Sequence, residues 1–112
     1  MLIVPTIPVY TCHKKRKVEA FDSKSIIYIY VSAKCFRGRN FTVCVAFVDD
    51  PHTGYIISGF DTEEEAQQEI DNILTAIESG KQVYQCVGKF DKVNEQDAQT
   101  VGDYDSIKKW GE

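Results

Sequence analysis

Ile26-Ile27-Tyr28-Ile29-Tyr30-Val31-Ser32-Ala33-Lys34-Cys35-Phe36, then Arg37-Gly38-Arg39-Asn40, then Phe41-Thr42-Val43-Cys44-Val45-Ala46-Phe47-Val48: this stretch decides the fold. β-Branched and aromatic residues fill both outer runs, and such side chains pack well on a pleated strand. The four residues between them are turn chemistry, so residues 26–36 and 41–48 are expected to form an antiparallel hairpin. Strict alternation puts Ile27, Ile29, Val31, Ala33 and Cys35 on one face, the expected core face. Ile26, Tyr28, Tyr30 and Ser32 take the other. In the second strand Phe41, Val43, Val45 and Phe47 oppose Thr42, Cys44, Ala46 and Val48, so the sheet is apolar on both faces.

Downstream, residues 49–54 read as a loop and 55–60 as a third strand. Ala66, Ile70, Ile73, Leu74 and Ile77 then recur at helical spacing, predicting a helix over 62–79 with Ile70, Ile73, Leu74 and Ile77 in the core. Thr62 with Glu65 three later fits a capping box, and Glu63, Glu64 and Glu65 suit the positive end of the helix dipole. Gly80 closes the helix, and 81–90 reads as a final strand. The expected fold class is α+β: an antiparallel sheet of four to six strands, one long amphipathic helix on one face, and a βββαβ core.

Upstream, residues 1–17 read as an extended arm. Pro5 and Pro8 exclude a helix and a central strand there. A short strand is expected near 18–21. From residue 91 to 112 the chain turns polar and acidic, a tail whose anchors are Val93, Val101, Tyr104, Ile107 and Trp110. The expected domain is therefore 1–90.

At 112 residues, 43% hydrophobic and 27% charged, the chain is sized for one globular domain, which excludes a wholly disordered or coiled-coil protein. The longest apolar run, 26–31, is too short to span a membrane. The first ten residues lack the basic lead-in of a signal peptide, so a cytoplasmic location is expected. Cys12, Cys35, Cys44 and Cys86 form no C-x-x-C pair, and His13 and His52 are not spaced with them as zinc ligands are. Reduced thiols are expected, buried at Cys35, Cys44 and Cys86, with no metal and no cofactor. No phosphate loop, nucleophile elbow or H-E-x-x-H motif occurs, and a non-enzymatic role follows.

Charge is polarised along the chain. Residues 1–45 carry eight basic side chains against two carboxylates, a balance of +6. Residues 46–112 carry five against fifteen, a balance of −10. Such asymmetry points to a charged partner for one half or the other. The basic set, Lys14, Lys15, Arg16, Lys17, Lys34, Arg37 and Arg39, is interleaved with Tyr28 and Tyr30. Cations for phosphates and ring faces for stacking suit a nucleotide or nucleic acid. The alternative uses the acidic helix face, Glu63, Glu64, Asp71 and Glu78, against a host protein. An apolar second sheet face that one helix cannot cover further predicts a homo-oligomer, a dimer above all.

Gly59-Phe60-Asp61-Thr62-Glu63-Glu64-Glu65-Ala66 resembles the G-D-T-x-E-E-A helix start of HicB-like antitoxins, and the layout over 42–77 is similar to theirs. The F-D-T-E-E-E-A start is also similar to that of small strand-rich proteins of bacteria and their phages, some pleckstrin-homology-like. The resemblance implies a cytoplasmic binding role: an antitoxin, or a phage- or mobile-element-encoded inhibitor of a host defence protein.

Overall fold

The structure is a computed structural model that describes residues 1–11 and 16–91. Its strands are β1 (Leu2–Val4), β2 (Val9–Thr11), β3 (Arg16–Val18), β4 (Phe21–Asp22), β5 (Ile26–Ser32), β6 (Phe41–Phe47), β7 (Asp50–Phe60) and β8 (Val83–Gln85), with one helix, α1 (Glu63–Glu78). The fold is α+β, and β5, β6, β7, α1 and β8 follow in the expected order. The strands divide over three ladders, β5-β6-β7, β4-β1-β8 and the β2-β3 hairpin.

The hairpin forms where its turn chemistry is. Phe36 and Arg39 exchange backbone hydrogen bonds at 3.0 Å. Arg37 and Gly38 between them both have positive φ, 47° and 81°, the backbone of a type I′ turn. The β5 face is corrected by one residue. A bulge between Ile26 and Tyr28 breaks the alternation, so Ile26 packs on the core with Ile29 and Val31 while Ile27 is 48% exposed. The strand ends at Ser32, which leaves Ala33 and Cys35 exposed rather than buried.

β7 begins five residues before the expected strand, so the expected loop shrinks to a turn at 48–49. Pro51 is tolerated because β7 is a terminal strand of its ladder. A second bulge lets Val43 pair with Ser58 and Cys44 with Ile56. Ile57 therefore joins the core beneath the helix while Ser58 bonds to it.

The N-terminal arm is part of the body. β1 is the middle strand of its ladder, antiparallel to β4 and parallel to β8, and Ile3 is fully buried. Pro5 falls just past the strand, so no ladder donor is lost there. Only Val83–Gln85 of the expected last strand is in a ladder. Beyond it the backbone still bonds to its neighbours, Cys86 N to Val4 O at 2.9 Å and Lys89 N to Gly59 O at 3.1 Å.

α1 packs on β5, β6 and β7, and Thr62 Oγ1 accepts from Glu65 N at 3.2 Å, as the capping pattern requires. Ala66, Glu69, Ile70, Ile73 and Ala76 are its buried residues. Leu74 and Ile77, expected in the core, are 46% and 42% exposed. The inward stripe through Ala66, Glu69, Ile70, Ile73 and Ala76 turns Leu74 out, and Ile77 lies in the last turn. No helix among the described residues is long and apolar enough to cross a membrane.

Candidate functional site

Away from the helix, the β5-β6-β7 ladder carries an open cleft of about 190 Å³, lined by Tyr30, Lys34, Phe36, Thr42, Cys44 and Ile56 among others. Its geometry follows from register. Tyr30 lies opposite Cys44, and Ser32 opposite Thr42. On the far side Cys44 lies opposite Ile56. Small side chains on central β6 form the floor, with Thr42 and Cys44 at 1% and 5% exposure, and the larger Tyr30 and Ile56 form walls. The Tyr30 hydroxyl rests against Gly54, in space any larger residue there would need.

Partial burial pushes the Tyr30 phenol up, and the neighbouring Cys44 adds to this. Burial also pushes the Cys44 thiol up, against the lowering effect of hydrogen bonds with Thr42 and Tyr30. Both groups are therefore neutral near pH 7, and Cys44 is a weak nucleophile. What the cleft offers is recognition: a ring face at Tyr30, an ammonium at Lys34 and a hydroxyl at Ser32.

The turn beside the cleft is held by the protein's own acids. Arg39 donates from Nη1 to Asp61 Oδ1 at 2.9 Å, from Nη2 to Asp91 Oδ1 at 3.3 Å, and from Nε to Lys89 O at 2.8 Å. Asp91 N in turn donates to Arg37 O at 2.9 Å. The Arg37 guanidinium stacks 5.2 Å from the Phe36 ring centroid, and desolvation lowers its pKa. Phe36 itself is wedged edge-on against Phe90. This turn is a joint between β5, β6 and the segment after β8.

Of the basic and aromatic candidates, the structure brings Tyr30 and Lys34 into one cleft. Tyr28 is two residues along the same strand face, 53% exposed. Arg37 and Arg39 are at the joint. Lys17 is on β3, in a separate ladder, ion-paired with Glu19 at 3.3 Å. Lys14 and Lys15 lie outside the described residues, as do the Arg16 side chain, Cys12, His13 and the tail from residue 92. Glu63, Glu64, Asp71 and Glu78 are all exposed on α1.

The most unusual group was not legible in the sequence. Glu69 is 1% exposed, on the inner side of α1. Its Oε1 accepts from Ser58 Oγ at 3.1 Å and from Val87 N at 2.8 Å, and its Oε2 accepts from the Tyr84 hydroxyl at 2.6 Å. Ser58 Oγ also accepts from Gly88 N at 2.9 Å, and Thr6 Oγ1 donates to Gly88 O at 2.9 Å. Gly88 must be glycine, because a Cβ there would meet Ser58 Oγ and the Gly59 backbone within 2.6 Å. Hydrogen bonds to a carboxylate compensate its burial, and this one ties helix, β7 and the segment after β8 together. It is shut off from solvent and serves as a fastening.

Among the described residues no group of three or more His, Cys, Asp or Glu is placed to hold a metal ion. Cys44 and Cys86 are buried free thiols, whereas Cys35, at the rim of the cleft, is exposed. Comparison with protein-family models, with curated proteins and with solved structures gives no match.

Proposed function

We propose that the protein is a small cytoplasmic, non-enzymatic binding domain that holds an anionic, ring-bearing ligand of the nucleotide class in the Tyr30–Lys34 cleft. The observation that carries this is the convergence of Tyr30, Phe36 and Lys34 on one open cleft. A ring stacks on Tyr30, a phosphate meets the Lys34 ammonium, and Ser32 donates to ring or ribose oxygens. A cleft of about 190 Å³ is small beside the several hundred Å³ of most drug-sized sites, which favours a single ring seated in it with the charged end outside. Arg39 has no part in this reading, because it does not line the cleft. Titrating a mononucleotide into labelled protein tests it. Amide shifts should cluster on Tyr30, Lys34, Thr42 and Gly54; shifts confined to α1 would overturn it.

A second reading rests on the helix. Glu63, Glu64, Asp71 and Glu78 face solvent with no ion-pair partner among the described residues, beside exposed Leu74 and Ile77. Such a surface suits a basic protein partner, the inhibitor or antitoxin role that the helix start resembles. Charge reversal at Glu64 and Asp71 would release that partner and leave nucleotide binding intact.

A further inference from the structure

We infer that β5 is a self-pairing edge, and that two copies of this chain join β5 to β5 into one continuous six-stranded antiparallel sheet. The ladder order leaves β5 at one end. At the opposite end, β7 is already met by the chain itself, through Thr6 N to Ile57 O at 2.8 Å and Lys89 N to Gly59 O at 3.1 Å. Apart from Ile26 N, which donates to Ser23 O at the start of the strand, no described residue outside β6 bonds the backbone of β5.

Natural edge strands are guarded by charge, proline or shortness. β5 has seven residues, Ile-Ile-Tyr-Ile-Tyr-Val-Ser, with no charged side chain, no proline and no glycine. Its one irregularity, the bulge at Ile27, sits at its first turn of pleat and leaves the rest regular. Ile27, Tyr28 and Tyr30 are 48%, 53% and 41% exposed on this one strand. Unguarded and apolar, the edge is built to be covered.

The charge pattern decides between occupants. A second β5 brings no charge opposite another, and a two-fold axis through Ile29 sets Tyr28 of one copy against Tyr30 of the other, a favourable aromatic pair. The chain's own C-terminal segment starts close by, since Asp91 bonds to the Arg37–Arg39 turn. That segment carries Glu95, Asp97, Asp103 and Asp105, and between Asp97 and Asp103 only five residues are uncharged. No stretch there matches the seven uncharged residues of β5. Pairing uses the strand's outer edge and the cleft opens on its face, so the two readings meet at Tyr30 and neither rests on the other.

Sedimentation of the full chain across a micromolar to tens-of-micromolar range tests the proposal. The apparent mass should double from 12.7 kDa as concentration rises, and hydrogen exchange at Tyr28–Val31 amides should slow in step. Tyr28→Lys, at an exposed position, should return the mass to one chain with an unchanged circular dichroism spectrum. Ile27→Lys serves as the second variant should Tyr28→Lys unfold. A wild-type chain that stays at single mass would overturn the inference, as would a doubled mass that both lysine variants retain. Slow exchange at these amides that does not depend on concentration would assign the edge to the chain's own tail and overturn it too.

Discussion

The Tyr84 hydroxyl donates to Glu69 Oε2 across 2.6 Å, joining the inner side of the helix to the strand that follows it. Around this bond Ser58 Oγ and Val87 N also donate to the carboxylate. Three donors in a site 1% exposed replace the water that the carboxylate loses.

Glu69→Ala should therefore be among the most damaging single changes. It leaves the fully buried Ser58 hydroxyl and the partly buried Tyr84 hydroxyl and Val87 N without this acceptor; a buried donor so orphaned costs about 1–3 kcal/mol, and a partly buried one less. A loss of roughly 3 kcal/mol or more in urea unfolding is expected. Tyr84→Phe removes only one donor and should cost about 1 kcal/mol. A Glu69→Ala protein as stable as wild type would mean that the carboxylate fastens nothing.

The same region sets the alkaline limit of stability. Burial first, and Glu69 second, push the Tyr84 phenol and the Cys86 thiol well up, and burial pushes up Cys44. The native state thus keeps protons that the unfolded chain releases. Their contribution is complete below the unfolded thiol value of about 8.5 and is lost progressively above it, the thiols' share first and the tyrosine's from about 10. The urea midpoint should hold flat from neutral pH to about 8 and then fall. Cys86→Ala should shallow the first part of that fall; a midpoint that rises above pH 9 would contradict the assignment.

The helix offers a paired test of packing. Ile73 is 1% exposed and Ile77 42%. Ile73→Ala should cost about 2–5 kcal/mol, the usual range for emptying a core position. Ile77→Ala should cost under about 1 kcal/mol, as surface positions do. Equal losses would place the helix in a different rotation.

At the hairpin turn, Arg39→Ala should cost roughly 1 kcal/mol, since partly exposed ion pairs contribute little and the Lys89 carbonyl bond adds somewhat more. Protease sensitivity near residues 89–91 should rise, because the segment loses its grip on the turn. An Arg39→Ala protein with unaltered stability and unaltered cleavage would leave the joint without a role.

Much of this was legible in the sequence, because period and capping chemistry are local. The tight turn at Arg37–Asn40, the Thr62 cap and the buried Ile70 and Ile73 all follow from neighbours a few residues apart, whereas the turn's I′ geometry does not. What stayed hidden depends on distant parts of the chain. The Ile27 bulge needs the register against Phe47 and Ala46. Ile3 becomes a core residue only because β8 and β4 flank it. Glu69 reads as one more solvated acid on a helix until Ser58, Tyr84 and Val87 converge on it from β7 and beyond. In the candidate site, Tyr30 and Lys34 were readable as residue types, whereas Arg39's engagement with Asp61 and Asp91 spans 22 and 52 residues.

In the proposed function the Tyr30–Lys34 cleft, and not the basic turn, binds a nucleotide-class ligand. Calorimetric titration of a mononucleotide into wild-type, Lys34→Ala, Tyr30→Ala and Arg39→Ala proteins tests it most directly. Wild type should bind with an affinity that weakens with added salt, Lys34→Ala and Tyr30→Ala should each lose at least about tenfold, roughly 1.4 kcal/mol, and Arg39→Ala should bind unchanged. Affinity that survives both cleft substitutions and collapses in Arg39→Ala would contradict it.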